Sequence, residues 1–159
     1  KLDYECELAV VLGRDARDVP AGQTRDYIFG YTILNDVSAR DVQTAHKQWY
    51  FGKSLDGFTP IGPCIVTADA FADYPPRLGI RSFVNGEKRQ DSNTALQIFD
   101  IDHVIAELSQ GMTLKAGTII ATGTPAGVGM GMDPPQFLKP GDVVRCEIDG
   151  IGTLTNPVE

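Results

Sequence analysis

Glu5 and Glu7 sit inside an otherwise apolar run, Tyr4-Glu5-Cys6-Glu7-Leu8-Ala9-Val10-Val11-Leu12, that ends at Gly13. The run is rich in strand formers and reads as a β-strand. Side chains alternate faces along a strand, so Tyr4, Cys6, Leu8, Val10 and Leu12 share one face, and Glu5, Glu7, Ala9 and Val11 the other. Two positions on one face lie roughly 7 Å apart, close enough for both carboxylates to converge on one ion. Paired anions in a half-buried strand repel and resist desolvation unless a cation compensates them. A divalent metal is one solution; a solvated edge strand is the other.

Asp36 ends a second strand-like segment, Gly30 to Val37, and either forms a turn or completes a three-oxygen face with the two glutamates. Three carboxylates with open positions suit a hard ion such as Mg²⁺ or Mn²⁺. No His or Cys has ligand spacing with this set, which argues against zinc. Arg40 and Gln43 are three apart and share a face of any short helix, with Asp36 one turn behind. Beside a metal they suit a carboxylate-bearing substrate; otherwise they belong to a surface helix. Lys53 follows Trp49-Tyr50-Phe51-Gly52. The aromatics could bury its stem and present the ammonium to an oxyanion, or the side chain simply snorkels.

Thr122-Gly123-Thr124-Pro125-Ala126-Gly127-Val128-Gly129 follows a β-branched segment. It is neither a dinucleotide fingerprint nor a phosphate loop. Its backbone N–H groups with the Thr124 hydroxyl could hold a carboxylate, or it is a wide turn. The two histidines are His46, in a loop that could approach the site, and His103, on the polar side of a helix.

The elements that must position these groups are mostly strands. Asn85-Gly86 and Asp149-Gly150 each carry a type I′ hairpin signal, joining Leu78–Val84 to Glu87–Gln90 and Val143–Ile148 to Ile151–Leu154. Cys64–Thr67 and Thr118–Thr122 read as further strands, and Gln23–Tyr27 as a turn or short helix. One principal helix is expected from Asp102 to Gln110, capped by Asp102, with a Val104-Ile105-Leu108 stripe. Short strands, hairpins and a single good helix predict an α+β, β-rich sandwich or roll.

The 159 residues suffice for one domain with a core, and 42% hydrophobic with 22% charged residues fits a globular protein. The formal charge of -7 argues against nucleic acid and anionic membranes, so an anionic substrate would need local cations. No apolar run is long enough for a membrane helix. Cys6, Cys64 and Cys146 read as buried free thiols, and with no signal-peptide pattern the expectation is a cytoplasmic protein. The chain lacks an initial Met and enters a strand almost at once, which predicts a single domain over 1–159 preceded by a further N-terminal segment.

Together these pieces resemble the fumarylacetoacetate hydrolase family. The matching stretches are Tyr4–Leu8, Asn35–Gln43, Gln48-Trp49, Gly52-Lys53-Ser54, Pro60, Gly62-Pro63, Val84-Asn85-Gly86 and Ala121–Gly129, in order over nearly the whole chain. The resemblance is to its bacterial branch of acylpyruvate hydrolases and oxo-acid hydrolases, isomerases and decarboxylases. It implies the family's mixed β-sandwich roll, a homodimer, and Mg²⁺ or Mn²⁺ held by Glu5, Glu7 and Asp36, with Ca²⁺ a substitute in crystals. Arg40, Gln43, Lys53 and Thr124 become catalytic groups; Arg40, Gln43 and Lys53 also face the substrate, and Gly123 with Thr124 forms the loop for its carboxylate. The family's catalytic base, a His in an N-terminal segment or lid, has no counterpart in 1–159; His46 is the alternative. The expected reaction is C–C cleavage of a 2,4-dioxo acid such as an acylpyruvate, with Lys53 stabilising enolate charge. Oxaloacetate decarboxylation, dienoic oxo-acid isomerisation or hydration, and a metal-binding subunit without turnover are the alternatives.

Overall fold

The structure, a computed structural model, describes residues 1–45 and 47–159; His46 lies outside the described residues. In chain order the elements are β1 (Leu2–Asp3), β2 (Cys6–Leu12), β3 (Ile28–Asn35), β4 (Ser38–Ala39), α1 (Arg40–Ala45), α2 (Tyr50–Lys53) and β5 (Ile61–Thr67). They continue with β6 (Gly79–Val84), β7 (Glu87–Asn93), α3 (Ile101–Leu108), β8 (Ile119–Ala121), β9 (Val143–Ile148) and β10 (Gly152–Pro157). Two four-stranded sheets, ordered β5-β3-β2-β8 and β10-β9-β6-β7, pack together, and β1 pairs with β4. The named strand pairs are antiparallel. This is an α+β fold dominated by sheet.

β2 is paired on both sides, by β3 and β8, and all seven of its residues are buried. Its Cys6, Leu8, Val10 and Leu12 belong to one core with Ile80, Val144, Cys146 and Ile148 of the other sheet. The opposite face, expected to be half-solvated, is covered as well, so the two glutamates are buried. Cys64, expected to be buried, is exposed because β5 is an edge strand with most side chains outward.

Asn85 and Gly86 have φ of 53° and 84°, the left-handed pair a type I′ turn requires. The second hairpin differs from expectation: of Asp149 and Gly150 only Gly150 has positive φ, 76°, and the Ile151 N–H closes the turn on the Ile148 carbonyl at 3.1 Å. Helix α3 starts a residue earlier than expected. Asp100, extended at ψ 172°, caps it by accepting from the His103 N–H at 2.8 Å. Asp102 instead accepts from the Gly22 N–H at 2.7 Å and the Thr24 hydroxyl at 2.6 Å, tying the helix to the loop before β3.

Candidate active site

Backbone pairing brings the acidic groups together. The Asp36 N–H donates to the Glu5 carbonyl at 2.8 Å, and the Glu5 N–H donates to the Asn35 side chain at 3.0 Å, so the exit of β3 is locked beside the entry of β2. One carboxylate oxygen from each of Glu5, Glu7 and Asp36 then lies within 4.8 Å of the others. Such spacing is what three ligands of one hard cation need.

Among the described residues, two cations serve the cluster. Lys53 Nζ donates to Glu5 Oε2 at 2.7 Å, Asp36 Oδ2 at 2.6 Å and Ser38 Oγ at 2.9 Å, which uses all three of its protons. Burial works against that ammonium, but its bonds to Asp36 and Glu5 prevail and raise its pKa above the usual lysine value. Arg40 donates to Asp3 Oδ2 at 2.9 Å, Glu5 Oε1 at 2.7 Å and Gln43 Oε1 at 3.1 Å. Counted at full formal charge, the four carboxylates of Asp3, Glu5, Glu7 and Asp36 outnumber these two cations by two in a largely buried place. A divalent ion would neutralise that excess, and the all-oxygen donor set is of the kind Mg²⁺ and Mn²⁺ prefer. Glu7 is the carboxylate without a cation: it accepts only the Gly123 N–H at 2.7 Å among the described residues. Burial pushes its pKa up to about 7, the Gly123 bond opposes this, and the charges of Asp36 and Glu5 add to it.

A cavity of about 550 Å³ opens over the cluster, lined by Arg40, Gln43, Trp49, Lys53, Gly123, Thr124 and Met130 besides the three acids. The sequence-derived groups therefore converge, but several are already engaged. Arg40 is buried, and its bonds make it an orienter of Glu5 as much as a substrate-facing donor. The Gly123 N–H is committed to Glu7 rather than open to a substrate. The Thr124 hydroxyl donates to the Cys6 carbonyl at 2.9 Å. Trp49, Tyr50 and Phe51 are each more than half exposed, so ion pairs hold Lys53, where the sequence left an aromatic sheath and a snorkelling side chain as the alternatives. Gly52 makes the placement of Lys53 possible: a Cβ there would come within 2.6 Å of the Gln43 backbone nitrogen, so only glycine lets α2 lie this close to α1. His103 stacks on Phe99, ring centroids 4.7 Å apart, and does not line the cavity.

Sequence reasoning missed Asp3 and Gln90. Asp3 is fully buried and accepts from Tyr4 N–H (2.9 Å), Gly129 N–H (2.8 Å), Met130 N–H (2.9 Å) and Arg40 Nε. Its signal was present, since Asp3, Glu5 and Glu7 alternate. Gln90 carried no such signal; only the packing of the two sheets reveals it.

A β-rich domain that converges three acids and two cations on one cavity is a platform for a hard ion and a small anionic ligand. Residues 1–159 match the family described as fumarylacetoacetate (FAA) hydrolase C-terminal, and the chain belongs to that family. It is 50% identical over 158 residues to the oxaloacetate tautomerase YisK of Bacillus subtilis, covering 99% of this chain and 52% of that protein. The fold matches a fumarylacetoacetate hydrolase from Exiguobacterium antarcticum with a TM-score of 0.96 and 52% identity, over 100% of this chain and 57% of that one. It also matches a 2-hydroxyhepta-2,4-diene-1,7-dioate isomerase from Mycobacterium marinum with a TM-score of 0.88 and 47% identity, over 98% of this chain and 57% of that one. The chain thus spans about half the length of the curated relatives it matches. These relatives carry the names of enzymes. No helix among the described residues is long and apolar enough to cross a membrane.

Proposed function

We propose that the domain carries the active site of an enzyme that interconverts small 2-oxo carboxylic acids through their enol or enolate form. The observation that carries this reading is the convergence of Glu5, Glu7 and Asp36 oxygens within 4.8 Å beneath a cavity flanked by Lys53 and Arg40. Mg²⁺ or Mn²⁺ held by the three acids would supply Lewis-acid polarisation of the oxo group and a fixed point for the neighbouring carboxylate.

The chain's own residues do the rest. Arg40 holds Glu5 in place through its 2.7 Å pair, and Gln43, whose amide oxygen is taken by Arg40, keeps its NH₂ protons for the substrate. Lys53 presents a fixed positive charge beside the oxygen on which enolate charge develops, and Thr124 offers a hydroxyl to the acid's carboxylate. Keto–enol interconversion or isomerisation is the reading we favour, because the named relatives at 50% and 47% identity are a tautomerase and an isomerase. Cleavage of a 2,4-dioxo acid is the second reading, favoured by the hydrolase at 52% identity; it requires in addition a base to activate water. We propose a homodimer, as the family resemblance implies, and a cytoplasmic location, as the free cysteines suggest.

The test follows ultraviolet absorbance of oxaloacetate, an acylpyruvate and a dienoic oxo-acid with the full-length protein and its Glu7→Ala variant. Each is run in EDTA and with Mg²⁺ or Mn²⁺. Metal-dependent turnover that disappears in the variant supports the proposal, and the substrate consumed separates the two readings. Metal binding with no turnover of any of the three would instead indicate a subunit that binds an ion without catalysis.

A further inference from the structure

Gln90 lies on β7, in the sheet opposite the acidic cluster, and is fully buried. Its Oε1 accepts from the Cys6 N–H at 3.2 Å and the Ser82 hydroxyl at 2.8 Å. Its Nε2 donates to Thr124 Oγ1 and to the Pro125 carbonyl, both at 2.8 Å. The amide has one orientation only. The Cys6 N–H can only donate and so faces Oε1; the Pro125 carbonyl can only accept and so faces Nε2. One side chain thereby joins β6, the point of β2 between the two glutamates, and the loop that walls the cavity.

The Thr124 hydroxyl receives a hydrogen bond from Gln90 and directs its own proton to the Cys6 carbonyl at 2.9 Å. A carboxylate entering the cavity can only accept, so it has to draw that proton away from Cys6. The bond from Gln90 survives the exchange. It keeps the hydroxyl oxygen in place while the proton turns, and by polarising the O–H it makes Thr124 a stronger donor.

We propose that Gln90 is a positioning residue for anion recognition, acting on the substrate through Thr124 and never touching it. The inference rests on the reading of the cavity as an oxo-acid site and names the device that prepares one of its donors. A purely structural glutamine would support the fold without coupling to Thr124.

The experiment uses the full-length protein, Mn²⁺ as the ion and oxalate as the anionic probe, with variants Gln90→Met, Thr124→Val and the double replacement. Mn²⁺ affinity and oxalate affinity are measured by titration, and amide hydrogen exchange is followed over residues 122–131. Gln90→Met is expected to leave Mn²⁺ affinity within about twofold. It should weaken oxalate by about tenfold, the scale of one hydrogen bond to a charged group, and speed exchange in the loop. The double variant should bind oxalate no more weakly than Thr124→Val alone, because the two residues act as one unit. If Gln90→Met fails to fold, Gln90→Asn keeps an uncharged amide that is one methylene too short to span from Cys6 to Thr124. Losses that multiply in the double variant overturn the proposal, as does unchanged oxalate binding in a folded Gln90 variant. Should the unaltered protein ignore oxalate, the oxo-acid reading fails; faster loop exchange in the variant would still support Gln90 as the anchor, and unchanged exchange would remove it.

Discussion

Replacing Asp3 by Asn alters one atom type in a carboxylate that receives four hydrogen bonds. Oδ1 accepts from the Tyr4 and Gly129 N–H groups, and Oδ2 from the Met130 N–H and Arg40 Nε, all at 2.8 to 2.9 Å. An amide keeps one accepting oxygen and turns an NH₂ toward the other two donors, so two bonds are lost whichever way it sits. Each buried donor left unpaired costs about 1–3 kcal/mol, and Arg40 also loses a charge partner that is fully buried. Breaking a buried pair by removing one member costs about 3–5 kcal/mol; the surviving Arg40–Glu5 bond puts the expected loss near the lower end, about 3 kcal/mol. Urea unfolding of the full-length protein measures it as a lower midpoint at unchanged slope. Asp91→Asn, at an exposed pair with Lys88, serves as the control and should leave the midpoint nearly unchanged. A midpoint for Asp3→Asn that corresponds to a loss under about 1 kcal/mol would refute the picture of Asp3 as the buried tie between Arg40 and the Gly129-Met130 turn.

Glu7 gives a pH-dependent prediction for the ion-free protein. With its pKa held up to about 7 by burial, against 4.5 ordinarily, the folded state binds more protons than the unfolded chain between those values. Stability in EDTA should therefore fall as pH rises from about 4.5 through 7, by about 3 kcal/mol at most, and Glu7→Gln should flatten that slope in urea titrations while losing Mn²⁺ binding. For Lys53→Ala, oxo-acid turnover should drop on the order of a hundredfold while Mn²⁺ affinity barely changes; collapse of Mn²⁺ binding would instead make Lys53 a part of the ion site. In Gly52→Ala the new methyl meets the Gln43 backbone, so α2 has to move. Thermal unfolding should show a loss of about 1–3 kcal/mol, with turnover falling alongside; unchanged turnover would mean that Lys53 does not depend on this close approach.

The alternation of Glu5 and Glu7 in an apolar run, the Asn85-Gly86 turn and the existence of helix α3 were legible from the sequence because each is local, although α3 buries Ile101 and Ile105 and leaves Leu108 of the expected Val104-Ile105-Leu108 stripe exposed. Strand period, left-handed turn chemistry and helical spacing all act within a few residues. By the same logic the candidate ligands could be named before any fold was seen. Local patterns did not reveal which partner each polar group would choose. Asp100 rather than Asp102 caps α3, because Asp102 finds Thr24 and Gly22 across the fold. Cys64 is exposed because β5 ends a sheet, and Pro63 inside that strand was the local sign of an edge that the reading of Cys64 as buried passed over. Gly123 and Thr124 were read as open donors, yet tertiary packing turns one toward Glu7 and the other toward Cys6. The sequence by itself determined the strands, the hairpins and the set of acids. Only the tertiary structure decided that Asp3 and Gln90 brace them, since a buried hydrogen bond is fixed by distance in space and leaves no period along the chain.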